Sequence, residues 1–135
     1  MPTRLPLSLT ALLLPFAAPA AVLQWPVLVI PSACGGTLQA CIDSAAPGDT
    51  IVIGSDDLAG GDGYTTIDES IRITRSLTLV AAPGIDAVFG VDRYIDVDIA
   101  GPAVASVTLV DLTLRNGAID IVDAGTTAGN VYRVE

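Results

Sequence analysis

The sequence predicts an all-β fold: a parallel β-helix entered through one short capping α-helix. Three observations carry that expectation. Ile95-Asp96-Val97-Asp98-Ile99-Ala100-Gly101 recurs, without a gap, as Ile119-Asp120-Ile121-Val122-Asp123-Ala124-Gly125, 24 residues later. A unit of about two dozen Val-, Ile- and Thr-rich residues suits one coil of a stacked solenoid. The composition is 51% hydrophobic, yet only six of 135 residues are aromatic. The core therefore has to be built from layers of Val, Ile, Leu and Ala. Short runs such as Leu77-Thr78-Leu79-Val80 alternate apolar and polar positions, the period of a half-buried strand.

Residues 1–20 are of another kind. Arg4 precedes an apolar segment from Leu7 to Ala18, and Ala18-Pro19-Ala20 has the small-x-small pattern of a cleavage site. This reads as a secretory signal peptide cut after Ala20. The competing reading is a retained membrane anchor, because apolar character runs on through Ile30. Pro6, Pro15, Pro19 and Pro26 weaken a single spanning helix. Lipidation at Cys34 is a third option, with Pro31 standing where a lipobox has an aliphatic residue. Residues 21–33 read as an apolar linker, and 34–135 as the β-helix domain, cap and first coils.

Leu38, Cys41, Ile42 and Ala45 fall at i, i+3, i+4 and i+7, one face of a short helix. Thr37 is placed as its N-cap, and Pro47-Gly48 as its stop. So short a helix is not stable alone and needs an apolar surface to cover, such as the open end of a β-helix core. Thr50-Ile51-Val52-Ile53 reads as the first strand, and Gly54 to Gly63 as a loop. Ser70-Ile71-Arg72-Ile73, Leu77 to Val80 and Val88 to Val91 follow as strands. Within the repeat, Ile95, Val97 and Ile99 are expected inward and Asp96 and Asp98 outward. The register predicts Ile95 against Ile119, Val97 against Ile121 and Val107 against Val131. Asn116-Gly117 closes the first copy. The second copy stops at Glu135, so the chain reads as the N-terminal piece of something longer, a truncated product or a protomer capped by a partner.

The stretch Gly36-Thr37-Leu38-Gln39-Ala40-Cys41-Ile42-Asp43-Ser44-Ala45-Ala46-Pro47-Gly48-Asp49-Thr50-Ile51 resembles the N-terminal cap of exported right-handed parallel β-helix proteins, the pectin-lyase-like superfamily. Val107 to Gly117 is similar to that family's coil strands. The resemblance spans about Cys34 to Glu135 and implies a right-handed coil. Its members include polysaccharide lyases, hydrolases and adhesins, so it fixes no activity. Nothing in the sequence matches the polygalacturonase Asp constellation or the pectate-lyase calcium and Arg site. No catalytic, cofactor-binding or metal-binding residue is therefore assigned.

Cys34 and Cys41 are the only cysteines. In an exported chain an even count favours a disulfide, and two buried thiols are the alternative. Asp96, Asp98 and Asp120 are placed on one outer strip, where stacked carboxylates hold Ca²⁺ or simply keep the face solvated; the second is the safer reading. Asp56, Asp57 and Asp62 pose the same choice in a Gly-rich loop. Arg72, Arg93, Arg115 and Arg133 are expected to pair with neighbouring Asp rather than to bind an acidic sugar. The six cations are all Arg, His is absent, and the net charge is −9. That balance excludes His-activated nucleophiles and disfavours nucleic acid as a partner. The function expected is that of an exported, non-catalytic structural or surface-interaction protein with carbohydrate or cell-surface partners. A membrane enters only if the N-terminal segment is retained. The alternative is the N-terminal part of a polysaccharide lyase or hydrolase.

Overall fold

The structure, a computed structural model, describes residues 18–26, 33–55, 63–99, 106–123 and 131–134. It is a parallel β-solenoid of about three turns with one short helix. The first full coil consists of β2 (Thr50–Ile53), β3 (Tyr64–Ile67) and β4 (Ile71–Ile73). The second consists of β5 (Leu77–Ala81), β6 (Asp86–Phe89) and β7 (Tyr94–Ile99). The third consists of β8 (Ser106–Val110), β9 (Leu112–Leu114) and β10 (Ala118–Asp123). An additional strand, β1 (Val22–Trp25), precedes them, and β11 (Val131–Val134) follows. Like strands of successive coils pair in parallel, giving sheets β1-β2-β5-β8-β11, β4-β7-β10 and β3-β6-β9.

Period-two alternation explains the core. Ile71 and Ile73 on β4 lie under Ile95 and Val97 on β7, and these lie under Ile119 and Ile121 on β10. Ile51, Leu79 and Leu109 form the matching column of the five-stranded sheet. Ile67, Phe89 and Leu114 form that of the third sheet. The first two coils are sealed: Ile51, Ile73, Leu79, Phe89 and Ile95 are fully buried. Burial fades in the third coil, where Ile119, Leu112 and Leu114 are partly buried and Ile121 is 41% exposed. Thr65 is a fully buried polar residue, and its hydroxyl donates to the Gly54 carbonyl at 2.7 Å.

The predicted helix is α1 (Leu38–Ser44), preceded by a 3₁₀ turn at Ala33–Gly35. Leu38, Cys41 and Ile42 are its buried face, and it packs on β4 and β1. Thr37 caps it as predicted, with Oγ1 accepting from the Ala40 N–H at 3.1 Å. Cys34 and Cys41 are bonded, with Cα atoms 4.2 Å apart, so the chain is pinned to the helix it enters.

Two strands join the expected set, and one register needs correction. Within residues 21–33, Val22–Trp25 is a strand that pairs in register with Thr50–Ile53. Trp25 is buried there, and its indole N–H donates to the Gly36 carbonyl at 2.9 Å. The stretch after Gly63 is a strand, Tyr64–Ile67, as buried at alternate positions as its neighbours. The 24-residue register holds for β7 and β10 but not for β11, where Val131 lies against Ser106 and Tyr132 against Val107. One extra residue in the connection shifts that strand while leaving the adjacent sheet in step.

The corners between the third sheet and the second repeat with the coil. Asp92 (φ 60°) and Asn116 (φ 52°) both adopt the left-handed conformation, which short polar side chains tolerate best after Gly. The Asp92 N–H donates to the Arg115 carbonyl at 3.2 Å, locking one corner on the next. Gly117 completes the upper turn, because a Cβ there would collide with the Arg93 carbonyl oxygen.

Candidate functional site

Three polar side chains position the cap, and none announces itself in the sequence. Glu69, just before β4, accepts from the Leu38 N–H at 2.6 Å and the Gln39 N–H at 3.2 Å. Its carboxylate thus satisfies two free donors at the positive end of α1. Gln39 reaches the outer edge of β4, which among the described residues has no strand partner on that side. Its Oε1 accepts from the Arg72 N–H at 2.7 Å, and its Nε2 donates to the Arg72 carbonyl at 3.1 Å. The side-chain amide replaces the missing strand at that residue and covers an edge that would otherwise invite pairing. Asp49, only 5% exposed, accepts from the Ala21 N–H through Oδ1 and from the Ala46 N–H through Oδ2, each at 2.7 Å.

The outer strip predicted from the repeat is present. Asp120 on β10 lies against Asp96 on β7, and Arg72 on β4 lies against Asp96 from the other side. Arg72 Nη2 donates to the Asp98 carboxylate, and its Nε lies 3.5 Å from Asp96 Oδ2. The hydrogen bond and the charge of Asp98, helped by Asp96, raise the pKa of Arg72. The guanidinium stays protonated through the neutral range, and its own share of what the pair contributes is lost as pH rises through that raised value. That contribution is small, because Arg72 is 59% exposed. Among the described residues no group of three or more His, Cys, Asp or Glu is placed to hold a metal ion. Asp56, Asp57 and Asp62 lie outside the described residues.

Arg93 binds Asp68 Oδ1 through Nε at 3.0 Å and Nη2 at 2.5 Å. Arg115 differs, stacking over the Tyr64 ring with 5.8 Å to its centroid. Arg133 belongs to β11, whose side chains are outside the description.

One concavity joins residues that the sequence scatters. Turns after β5 and β8 and the start of β3 enclose an open groove of about 590 Å³. Asp86, Asp111 and Thr113 line it, with Pro83 and Gly84 along one wall. Thr113 Oγ1 lies 3.4 Å from Asp86 Oδ1, and both side chains are exposed. Two carboxylates and a hydroxyl in one open groove can accept hydrogen bonds, and their charge is unfavourable to an anion.

Comparison with family models, with curated proteins and with solved structures found no match to this chain.

Proposed function

We propose that the chain is an exported β-solenoid of the pectin-lyase-like kind, or the N-terminal part of a longer one. In this reading it serves as a non-catalytic structural or surface-interaction module. The observation that carries the reading is the engagement of the outer carboxylates. Asp96 and Asp98 are held by Arg72, and Asp68 by Arg93. A carboxylate bound to a guanidinium is a poor proton shuttle, and a face of such pairs is suited to display rather than to turnover. The Cys34–Cys41 bond favours an oxidising compartment. No helix among the described residues is long and apolar enough to cross a membrane. The groove at Asp86 and Asp111 is the contact surface, and its charge favours neutral carbohydrate over uronic-acid polymers.

A second reading rests on the same groove. Two carboxylates flanking a concave surface are the equipment of polysaccharide hydrolysis. Co-sedimentation of the exported protein with insoluble neutral and acidic polysaccharides separates the two, run beside an assay for reducing and unsaturated sugar ends with and without calcium. Binding to a neutral polymer without new ends, weakened in Asp86→Ala and Asp111→Ala, supports the module. New sugar ends that disappear in Asp86→Asn or Asp111→Asn establish the enzyme instead.

A further inference from the structure

We propose that Asp49 is the receptor for a free amino terminus at Ala21, created when the chain is cut after Ala20. The inference rests on the export reading above and adds to it a site that the cut itself completes.

The geometry is already in place. Ala18, Pro19 and Ala20 are exposed and belong to no strand or helix. Among the described residues Ala21 is the first fixed to the sheet, its carbonyl accepting from the Thr50 N–H at 2.9 Å. Its nitrogen lies 2.7 Å from Asp49 Oδ1. Asp49 cannot easily move away. Its own N–H donates to the Ala46 carbonyl at 3.1 Å, its carbonyl accepts from the Thr78 N–H at 2.9 Å, and Oδ2 holds the Ala46 N–H.

The chemistry of that carboxylate lacks one element. A buried carboxylate is unfavourable unless hydrogen-bonded and matched by a positive charge. In the uncut chain the two donors to Asp49 among the described residues are neutral amides. Arg75 reaches the same corner, but its Nη1 donates to the Ala45 carbonyl at 2.8 Å. Among the described residues no arginine forms an ion pair with Asp49. Hydrolysis after Ala20 supplies the missing cation. The oxygen of water bonds to the Ala20 carbonyl carbon, and the Ala20–Ala21 C–N bond breaks. Ala20 leaves as a carboxylate, and the Ala21 nitrogen takes up protons to become an ammonium. A peptidase that reads small side chains at the first and third positions before the cut finds Ala20 and Ala18 there. The new ammonium keeps the position of the old amide, at a length normal for a charge-assisted hydrogen bond.

The sequence makes the test clean. It contains no lysine, so the α-amine is the only amine in the cut chain. The full chain is expressed with its leader in an exporting host, and the recovered protein is read by intact mass and then labelled with an amine-reactive ester. The expected N-terminus is Ala21. The folded protein should label at least ten-fold more slowly than the same protein in urea. Its labelling midpoint should lie above the range of about 7.7 to 8.0 that free α-amines show. Asp49→Asn should restore the free rate and midpoint. One Ala inserted after Ala20 should do the same without touching the receptor, so that a folding defect in Asp49→Asn does not decide the matter. Unexported protein that keeps Met1 overturns both the export reading and this one. Export with a different N-terminus overturns the receptor alone. So does an Ala21 terminus that labels at the free rate.

Discussion

Glu69 shows how much one side chain does at the scale of a residue. It holds two N–H groups at the start of a seven-residue helix that has no acidic residue of its own in its first turn. Replacing Glu69 by Ala should lower stability by roughly 1 to 2 kcal/mol, within the range of a lost N-terminal cap. Glu69→Gln should recover part of it. Chemical denaturation of the exported protein reads both. Equal stability of Glu69→Ala and the parent would show that Thr37 alone caps the helix. Gly117 is a second test of one residue. Its absent Cβ makes room for the Arg93 carbonyl. Gly117→Ala must move one coil corner off the next, and a loss of roughly 2 kcal/mol or more is expected. Thr37 was legible in advance because an N-cap is a local pattern. Glu69 was not, because its partners lie 30 and 31 residues away in sequence, and neither was the tie of Asp49 to Ala21, 28 residues away.

At the scale of the element, pairing decides what the sequence reveals. The spacing between β4 and β7 equals that between β7 and β10, since Ile71, Ile95 and Ile119 are each 24 residues apart. That sheet is the one whose repeat is visible by eye. On the five-stranded sheet, Thr50 pairs with Thr78 and Leu77 with Val107, spacings of 28 and 30. On the third sheet, Tyr64 pairs with Asp86 and Ala87 with Leu112, spacings of 22 and 25. Corners of variable length absorb the differences, so those strands stack without any constant period. The same variability misplaced β11 by one residue and hid β1 and β3. The in-register sheet carries its own strain. Asp96 and Asp120 are direct cross-strand partners on the outer face, and like charges so placed are unfavourable. Asp120→Asn should raise stability by a few tenths of a kcal/mol, roughly the lower end of cross-strand pair energies, and the gain should shrink as salt rises. A loss on removing that charge would mean that Asp120 binds a cation. The disulfide acts on the next element. Replacing Cys34 and Cys41 together by Ala should cost on the order of 2 to 3 kcal/mol at most, because the loop between them is short.

For the whole molecule, the order of burial along the solenoid axis matters most. A stack of coils is held by nearest-neighbour contacts, so its stability is distributed rather than uniform. α1 packs on β4 and β1 at the first coil, and the core residues of the first two coils are sealed. In the third coil Ile121 is 41% exposed, although it occupies the same column as the buried Ile73 and Val97. Amide exchange should therefore be slowest on β2, β4, β5 and β7 and fastest on β9 and β10, since opening free energies follow local burial. Matched substitutions in one column make the same point in energy. Ile95→Ala removes a side chain from a filled layer and should cost about 3 to 4 kcal/mol, within the range for large-to-small changes in a core. Ile119→Ala, one coil later, should cost about half that, because its surroundings already admit water. A uniform exchange profile, or equal losses at Ile95 and Ile119, would show that the third coil is covered in solution, by more of the protein or by a second copy.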